Sequence, residues 1–147
     1  MLTKINRIER GEPERVEIFC CEISDDVREI VAFVKSRQGR LTGTLDERQY
    51  EVPLSDIFYI ESVDNKVFLY TKDKVYETKQ KLYEFESALK AKHYLRVSKS
   101  MLLNLMKVEA IRPALNGRFC AVLRSGEQVI ITRKYVPDLK QALKGGN

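Results

Sequence analysis

Histidine is almost missing from this 147-residue chain, and the single copy, His93, has no Cys-x-x-Cys pair to join. A standard structural zinc site therefore lacks enough ligands. Cysteine is scarce as well: Cys20, Cys21 and Cys120 make an odd count, and the first two are neighbours, so on a strand they would face opposite sides. The expectation is reduced thiols serving as small core residues in a cytoplasmic protein. No apolar run approaches the roughly 18 uncharged residues of a membrane span, and the opening MLTKINRIERGEPERVE lacks the apolar stretch of a signal peptide. A glycine-rich phosphate loop and a Gly-x-Ser-x-Gly elbow are also absent. With one histidine, proton transfer would fall to ordinary carboxylates such as Asp56 and Glu61, which strand and turn sequence already explains. The expectation is a protein that is no enzyme, with no catalytic residues, no metal and no cofactor.

What the chain does have is an apolar content of 44%, with only 7 glycines and 4 prolines, enough to bury one compact core with a short extension. Its net charge of +5 is spread unevenly: residues 1–45 balance to 0, residues 46–89 carry −4, and residues 90–147 carry +9. A basic block of that kind attracts polyanions, because lysines and arginines that neutralise phosphates release condensed counterions.

The hydrophobic periodicity changes along the chain. Residues 14–23 alternate at Val16, Ile18 and Cys20 and predict a strand. A helix is expected next, with Ser24 as N-cap, Asp25 and Asp26 at its positive end, a stripe of Val27, Ile30, Val31 and Val34, and Gly39 as its stop. Short β-segments follow near 41–45, 49–53, 57–63, 67–71 and 75–77, with hairpin turns at Asp64-Asn65 and Lys72-Asp73-Lys74. Leu82, Phe85 and Leu89 recur at helical spacing over 79–90. More β-segments are predicted at 94–97, 102–103, 108–112, 118–123 and 128–131, with turns at Asn116-Gly117 and Ser125-Gly126. A last helix starts near Pro137 and runs to Gly145-Gly146. The fold class expected is α+β: a mainly antiparallel β-domain over 46–147 with short helices, preceded by a βα extension over 1–45.

Polar and basic residues recur where strands end. Asp64-Asn65-Lys66, Ser98-Lys99-Ser100 and Thr132-Arg133-Lys134 form three tips, each able to donate to phosphate oxygens or base edges. At these stations the chain resembles the LytTR family of bacterial DNA-binding domains. The family's order of motifs is matched by Asp56-Ile57-Phe58-Tyr59-Ile60-Glu61, then Arg96-Val97-Ser98-Lys99-Ser100-Met101-Leu102-Leu103-Asn104, then Thr132-Arg133-Lys134, over about residues 46–144. The resemblance implies recognition of double-stranded DNA by loops between strands. Asn65-Lys66 would be the first DNA-facing loop, Lys99 the central contact flanked by Ser98 and Ser100, and Arg133 or Lys134 the late contact.

This chain departs from the pattern in two ways. Ser98 stands where histidine is frequent and Lys99 where arginine is, so a bidentate guanidinium contact to guanine is not available there. Arg96 and Asn104 match the pattern, but a buried ion pair and a turn hydrogen bond explain them as well as DNA contact does. The 45 residues ahead of the matched region are also too few for a phosphorylatable receiver. What the resemblance implies instead is control through the extension, as a homodimer on paired half-sites or through a partner such as a membrane-protein inhibitor. Two other readings share the basic face: a protein-interaction module, or a single-stranded nucleic-acid or RNA binder stacking bases on Tyr59, Phe68, Tyr70 or Phe119.

Overall fold

A computed structural model describes residues 1–36 and 38–145. Among them, seven strands form one antiparallel sheet: β1 (Arg40–Leu45), β2 (Arg48–Pro53), β3 (Ile57–Val63), β4 (Lys66–Thr71), β5 (Val75–Thr78), β6 (Tyr94–Ser98) and β7 (Met101–Asn104). Their spatial order is β2-β1-β5-β4-β3-β7-β6. A second sheet is built from β8 (Val108–Pro113), β9 (Phe119–Leu123) and β10 (Gln128–Ile131), in the order β10-β9-β8. Three helices accompany them: α1 (Asp25–Ser36), α2 (Leu82–Ala88) and α3 (Val136–Gly145). The α+β, mainly antiparallel class expected from the sequence is the one observed.

The large sheet is covered on both faces where β3, β6 and β7 lie, and mainly on one face at β1, β2 and β5. On one face Ile57, Ile60, Leu69, Tyr76 and Leu102 pack with Leu82, Phe85 and Leu89 of the α2 region. On the other, Phe58, Tyr59, Val97 and Leu103 meet Ala121, Leu123, Val129 and Ile131 of the small sheet and Val136 and Leu139 of α3. Each fully buried Leu or Ile here contributes roughly 1.5–3 kcal/mol relative to exposure. β3 serves both clusters by breaking its own alternation. A bulge between Ile57 and Tyr59 puts Phe58 and Tyr59 together on the small-sheet side, with Ile57 and Ile60 on the α2 side.

β1 belongs to the large sheet: it pairs with β2 from Arg40↔Pro53 to Leu45↔Arg48 and meets β5 at Thr44↔Glu77. Gly43 makes the β5 contact sterically feasible, since a Cβ there would lie 2.6 Å from Tyr76 Cβ. The β1–β2 turn is Asp46-Glu47, with φ of 51° and 64°. No glycine or asparagine announces it in the sequence, which is why no hairpin was expected at that point.

The amino-terminal strand expected over residues 14–23 is not formed. These residues carry no ladder hydrogen bonds, and Phe19 is 90% exposed. Alternation alone does not make a strand; a neighbouring edge must satisfy the backbone, and here none is paired with it. The same fact corrects the expectation for the cysteines, because Cys20 and Cys21 are exposed while Cys120 is buried. α1 does form where expected. The Val27 amide donates to Ser24 Oγ at 3.3 Å and the Arg28 amide to Ser24 O at 3.0 Å. Of its apolar stripe Val27 is buried and Ile30 and Val34 half-buried, whereas Val31 is exposed. The helix expected over 79–90 is confined to Leu82–Ala88, with a separate 3-10 turn at Lys90–Lys92. Gly146, expected at the end of the last helix, lies outside the described residues.

Candidate nucleic-acid interface

The first tip is a two-residue hairpin turn between β3 and β4. Asp64 and Asn65 both have left-handed backbones, φ 52° and 66°, as a type I′ turn requires, and Val63 pairs with Lys66 across it. Asp and Asn tolerate that conformation better than other side-chain-bearing residues, which accounts for an acidic residue in an otherwise basic tip. Asn65 and Lys66 are exposed.

The second tip joins β6 to β7. Ser98 pairs with Met101, leaving Lys99-Ser100 as the turn, and the Ser100 amide donates to Ser98 Oγ at 3.2 Å. Arg96 holds this turn from beneath. Its Nε donates to Ser98 O at 2.8 Å, its Nη2 to Lys99 O, and its Nη1 to Glu86 Oε1 of α2 at 2.9 Å. The arginine is thus a part-buried ion pair and a turn support at once. Its charge is spent inside the protein, and Lys99 stays exposed as the turn's cation. Asn104 is likewise structural: only 3% exposed, it donates from Nδ2 to Ile57 O at 2.8 Å and accepts the Met106 amide on Oδ1 at 3.0 Å.

The third tip is a 3-10 turn, Arg133–Tyr135, between β10 and α3. Thr132 fastens it to the large sheet, its amide and Oγ1 both donating to Val97 O at 2.9 and 3.3 Å. Arg133 and Lys134 are exposed, with Lys134 Nζ 5.5 Å from the centre of the Tyr135 ring.

The topology gathers the tips at one edge. β7 lies beside β3 with Glu61↔Met101, so the β3–β4 and β6–β7 turns leave the same end of adjacent strand pairs. The Ser62 amide donates to Ser100 O at 2.8 Å and ties them together, while Thr132 ties the third tip to Val97, next to Ser98. Asn65, Lys66, Ser98, Lys99, Ser100, Arg133 and Lys134, scattered over 70 positions of sequence, therefore share one margin. The β8–β9 loop, residues 114–118, reaches the same margin beside Arg133, since Phe119 pairs with Ile131. In the sequence Asn116-Gly117 reads only as a turn.

The aromatic residues are engaged with one another. Tyr59 is buried and stacks on Tyr70 with ring centres 4.4 Å apart, Phe68 meets Tyr70 edge-on, and Lys140 Nζ sits 5.6 Å from the Phe119 ring centre. Tyr59 OH donates to Glu127 Oε2 at 2.9 Å, linking the two sheets. Burial, and then that carboxylate, push the Tyr59 phenol well above the usual tyrosine range.

Comparison with known proteins places this architecture. The family model described as the LytTr DNA-binding domain matches residues 47–144. Among curated relatives, the sensory transduction protein LytT of Bacillus anthracis is 28% identical over 113 residues, covering 77% of this chain and 46% of that protein. This chain thus aligns with less than half the length of that relative. An uncharacterised HTH-type transcriptional regulator of Staphylococcus aureus is 25% identical over 130 residues, covering 87% of this chain and 88% of its own length. The transcriptional regulatory protein YpdB of Escherichia coli is 30% identical over 99 residues, 67% of this chain and 40% of that protein. A solved LytTr DNA-binding domain from Bacillus cereus superposes with a TM-score of 0.69 at 24% identity, covering 73% of this chain and 98% of that one. The chain belongs to the LytTR family of DNA-binding domains.

Proposed function

We propose that this chain is a sequence-specific regulator of transcription that binds double-stranded DNA through the turns at one edge of its β-scaffold and carries out no catalysis. The observation that carries the reading is the gathering of Lys66, Lys99, Arg133 and Lys134 on one margin, held by the Ser62–Ser100 and Thr132–Val97 hydrogen bonds. The three helices of the described residues are each separated by strands, so loops, and not a recognition helix in a helix-turn-helix pair, are the elements offered to the grooves. Lysines and arginines supply the salt-dependent attraction to phosphates, and Asn65, Ser98 and Ser100 supply short neutral donors and acceptors near base edges. A single-stranded or RNA ligand is less well served, because Tyr59, Phe68 and Tyr70 already pack on one another.

The protein acts in the cytoplasm in this reading, as a homodimer on paired half-sites. The amino-terminal extension, which exposes Leu2, Ile5, Val16 and Phe19, supports assembly or docks a partner such as a membrane-protein inhibitor. A gel-shift competition among duplex, single-stranded DNA and RNA at one stated salt concentration tests the nucleic-acid reading. Preferential retention of a specific duplex is expected. Stronger competition by single-stranded DNA or RNA would favour a single-stranded nucleic-acid or RNA binder, and no shift with any of the three a protein-interaction module.

A further inference from the structure

The β8–β9 loop brings a glycine against one of the cations assigned to DNA contact. The loop is closed by the Ala114 amide donating to Arg118 O at 2.9 Å and by Arg118 Nε donating to Leu115 O at 3.0 Å. Asn116 and Gly117 both have left-handed backbones, φ 62° and 74°. The stem of Arg133 lies on Gly117: a Cβ added there would stand 2.8 Å from Arg133 Cδ and 3.2 Å from its Cγ.

We propose that Gly117 is a positioning residue for DNA recognition, its bare backbone being the platform that sets where the Arg133 guanidinium reaches. The inference rests on the loop-docking reading above and assigns the fourth loop a role within it. A methyl group at residue 117 meets no backbone; it meets the middle of a flexible side chain, so the side chain yields and the fold keeps its packing. Arg133 Cδ must then move by several tenths of an ångström, and the guanidinium beyond it moves further. A recognition group has to be held within roughly 0.5 Å of its productive position, so the displacement reads out as lost affinity. Arg133 is exposed, and among the described residues none of its side-chain nitrogens has a hydrogen-bond partner, so the close approach to Gly117 is the contact that limits its stem.

The molecule contains its own control. Gly126, in the β9–β10 turn at the opposite end of the small sheet, has φ 91° with nothing within 4 Å of an added Cβ. Gly126→Ala imposes similar backbone strain without touching a DNA-facing side chain. The test uses the full chain and a fluorescent duplex enriched from a random pool by the parent protein. Anisotropy titrations at one salt concentration and thermal melts are run for Gly117→Ala, Gly126→Ala, Arg133→Ala and the Gly117→Ala/Arg133→Ala double variant.

Arg133→Ala is expected to weaken binding roughly tenfold, as loss of one good base or phosphate contact does. Gly117→Ala should weaken it roughly fivefold and Gly126→Ala less than about twofold, with similar melting for the two glycine variants. The double variant should bind no more weakly than Arg133→Ala alone, because the glycine acts through that arginine. Equal binding by Gly117→Ala and Gly126→Ala, or losses at 117 and 133 that multiply, would overturn the proposal. Parental affinity in Arg133→Ala would remove the reading beneath it, a distinct failure. If Gly117→Ala does not fold, Gly117→Asn, which adds a Cβ but tolerates the left-handed backbone, replaces it with the same two outcomes.

Discussion

At the scale of the residue, the candidate interface separates a cation that supports a turn from those that the proposed function assigns to DNA contact. Arg96 gives its guanidinium to Ser98 O, Lys99 O and Glu86, and so shapes the turn that presents Lys99. This division was half legible in the sequence. Arg96 and Asn104 stand where a motif-based reading puts functional residues, and an ion pair or turn bond could be named for each, but only the fold says which neighbours accept. For the contact class the expectation is quantitative. Lys99→Ala should weaken duplex binding roughly tenfold and reduce the slope of log affinity against log salt by about 1, since one phosphate is no longer neutralised. Its melting curve should match the parent's, Lys99 being exposed. Titrations at several salt concentrations check this, and an unchanged slope would place the lysine outside the DNA contact.

At the scale of the element, strands were the most legible feature because one buried face enforces alternation, and β3 was expected over the residues where it forms. Three things escaped that signal. The β3 bulge depends on how two clusters must be filled, the Asp46-Glu47 hairpin uses left-handed residues without a glycine, and residues 14–23 alternate without gaining a partner strand. The last point leads to a deletion experiment. Removing residues 1–23 leaves Ser24 to cap α1 and takes away no buried side chain, so stability should change by less than about 0.5 kcal/mol. Dimer formation measured by sedimentation should fall. Removing residues 1–45 instead deletes β1, strips the cover from Tyr76 and Leu69, and should unfold the remainder. A dimer that survives the shorter deletion would assign assembly to another surface. The links between elements also titrate. Tyr59, bonded to Glu127 across the two sheets, and Tyr94, buried with its OH donating to Leu54 O at 3.2 Å, both have phenols raised by burial. A raised folded-state value means the folded state holds the proton more tightly. Their contribution is therefore complete below the ordinary tyrosine value of about 10 and is lost as pH climbs beyond it. Urea midpoints should fall steeply above about pH 10, and Tyr94→Phe should flatten that fall while lowering neutral stability by about 1 kcal/mol.

At the scale of the whole molecule, the decisive fact is one that no local pattern carries. The +9 charge of residues 90–147 pointed to a polyanion, and the ordered motifs pointed to a family, but the meeting of residues 64–66, 98–100 and 132–134 on one margin is a product of strand order. Sequence spacing does not reveal that β7 inserts between β3 and β6, nor that the β8–β9 loop closes beside Arg133. Under the proposed function this margin, and no other surface, meets duplex DNA. At 17.1 kDa the chain is open to amide-resonance mapping by heteronuclear NMR, titrated with a duplex enriched by the protein itself. Docking at this margin predicts the largest shifts at residues 64–66, 98–100, 115–118 and 132–134, with α1, α2 and the opposite turns at 72–74 and 124–127 little changed. Shifts concentrated on those opposite turns or on the helices, with the three tips and the β8–β9 loop silent, would place the DNA on another surface.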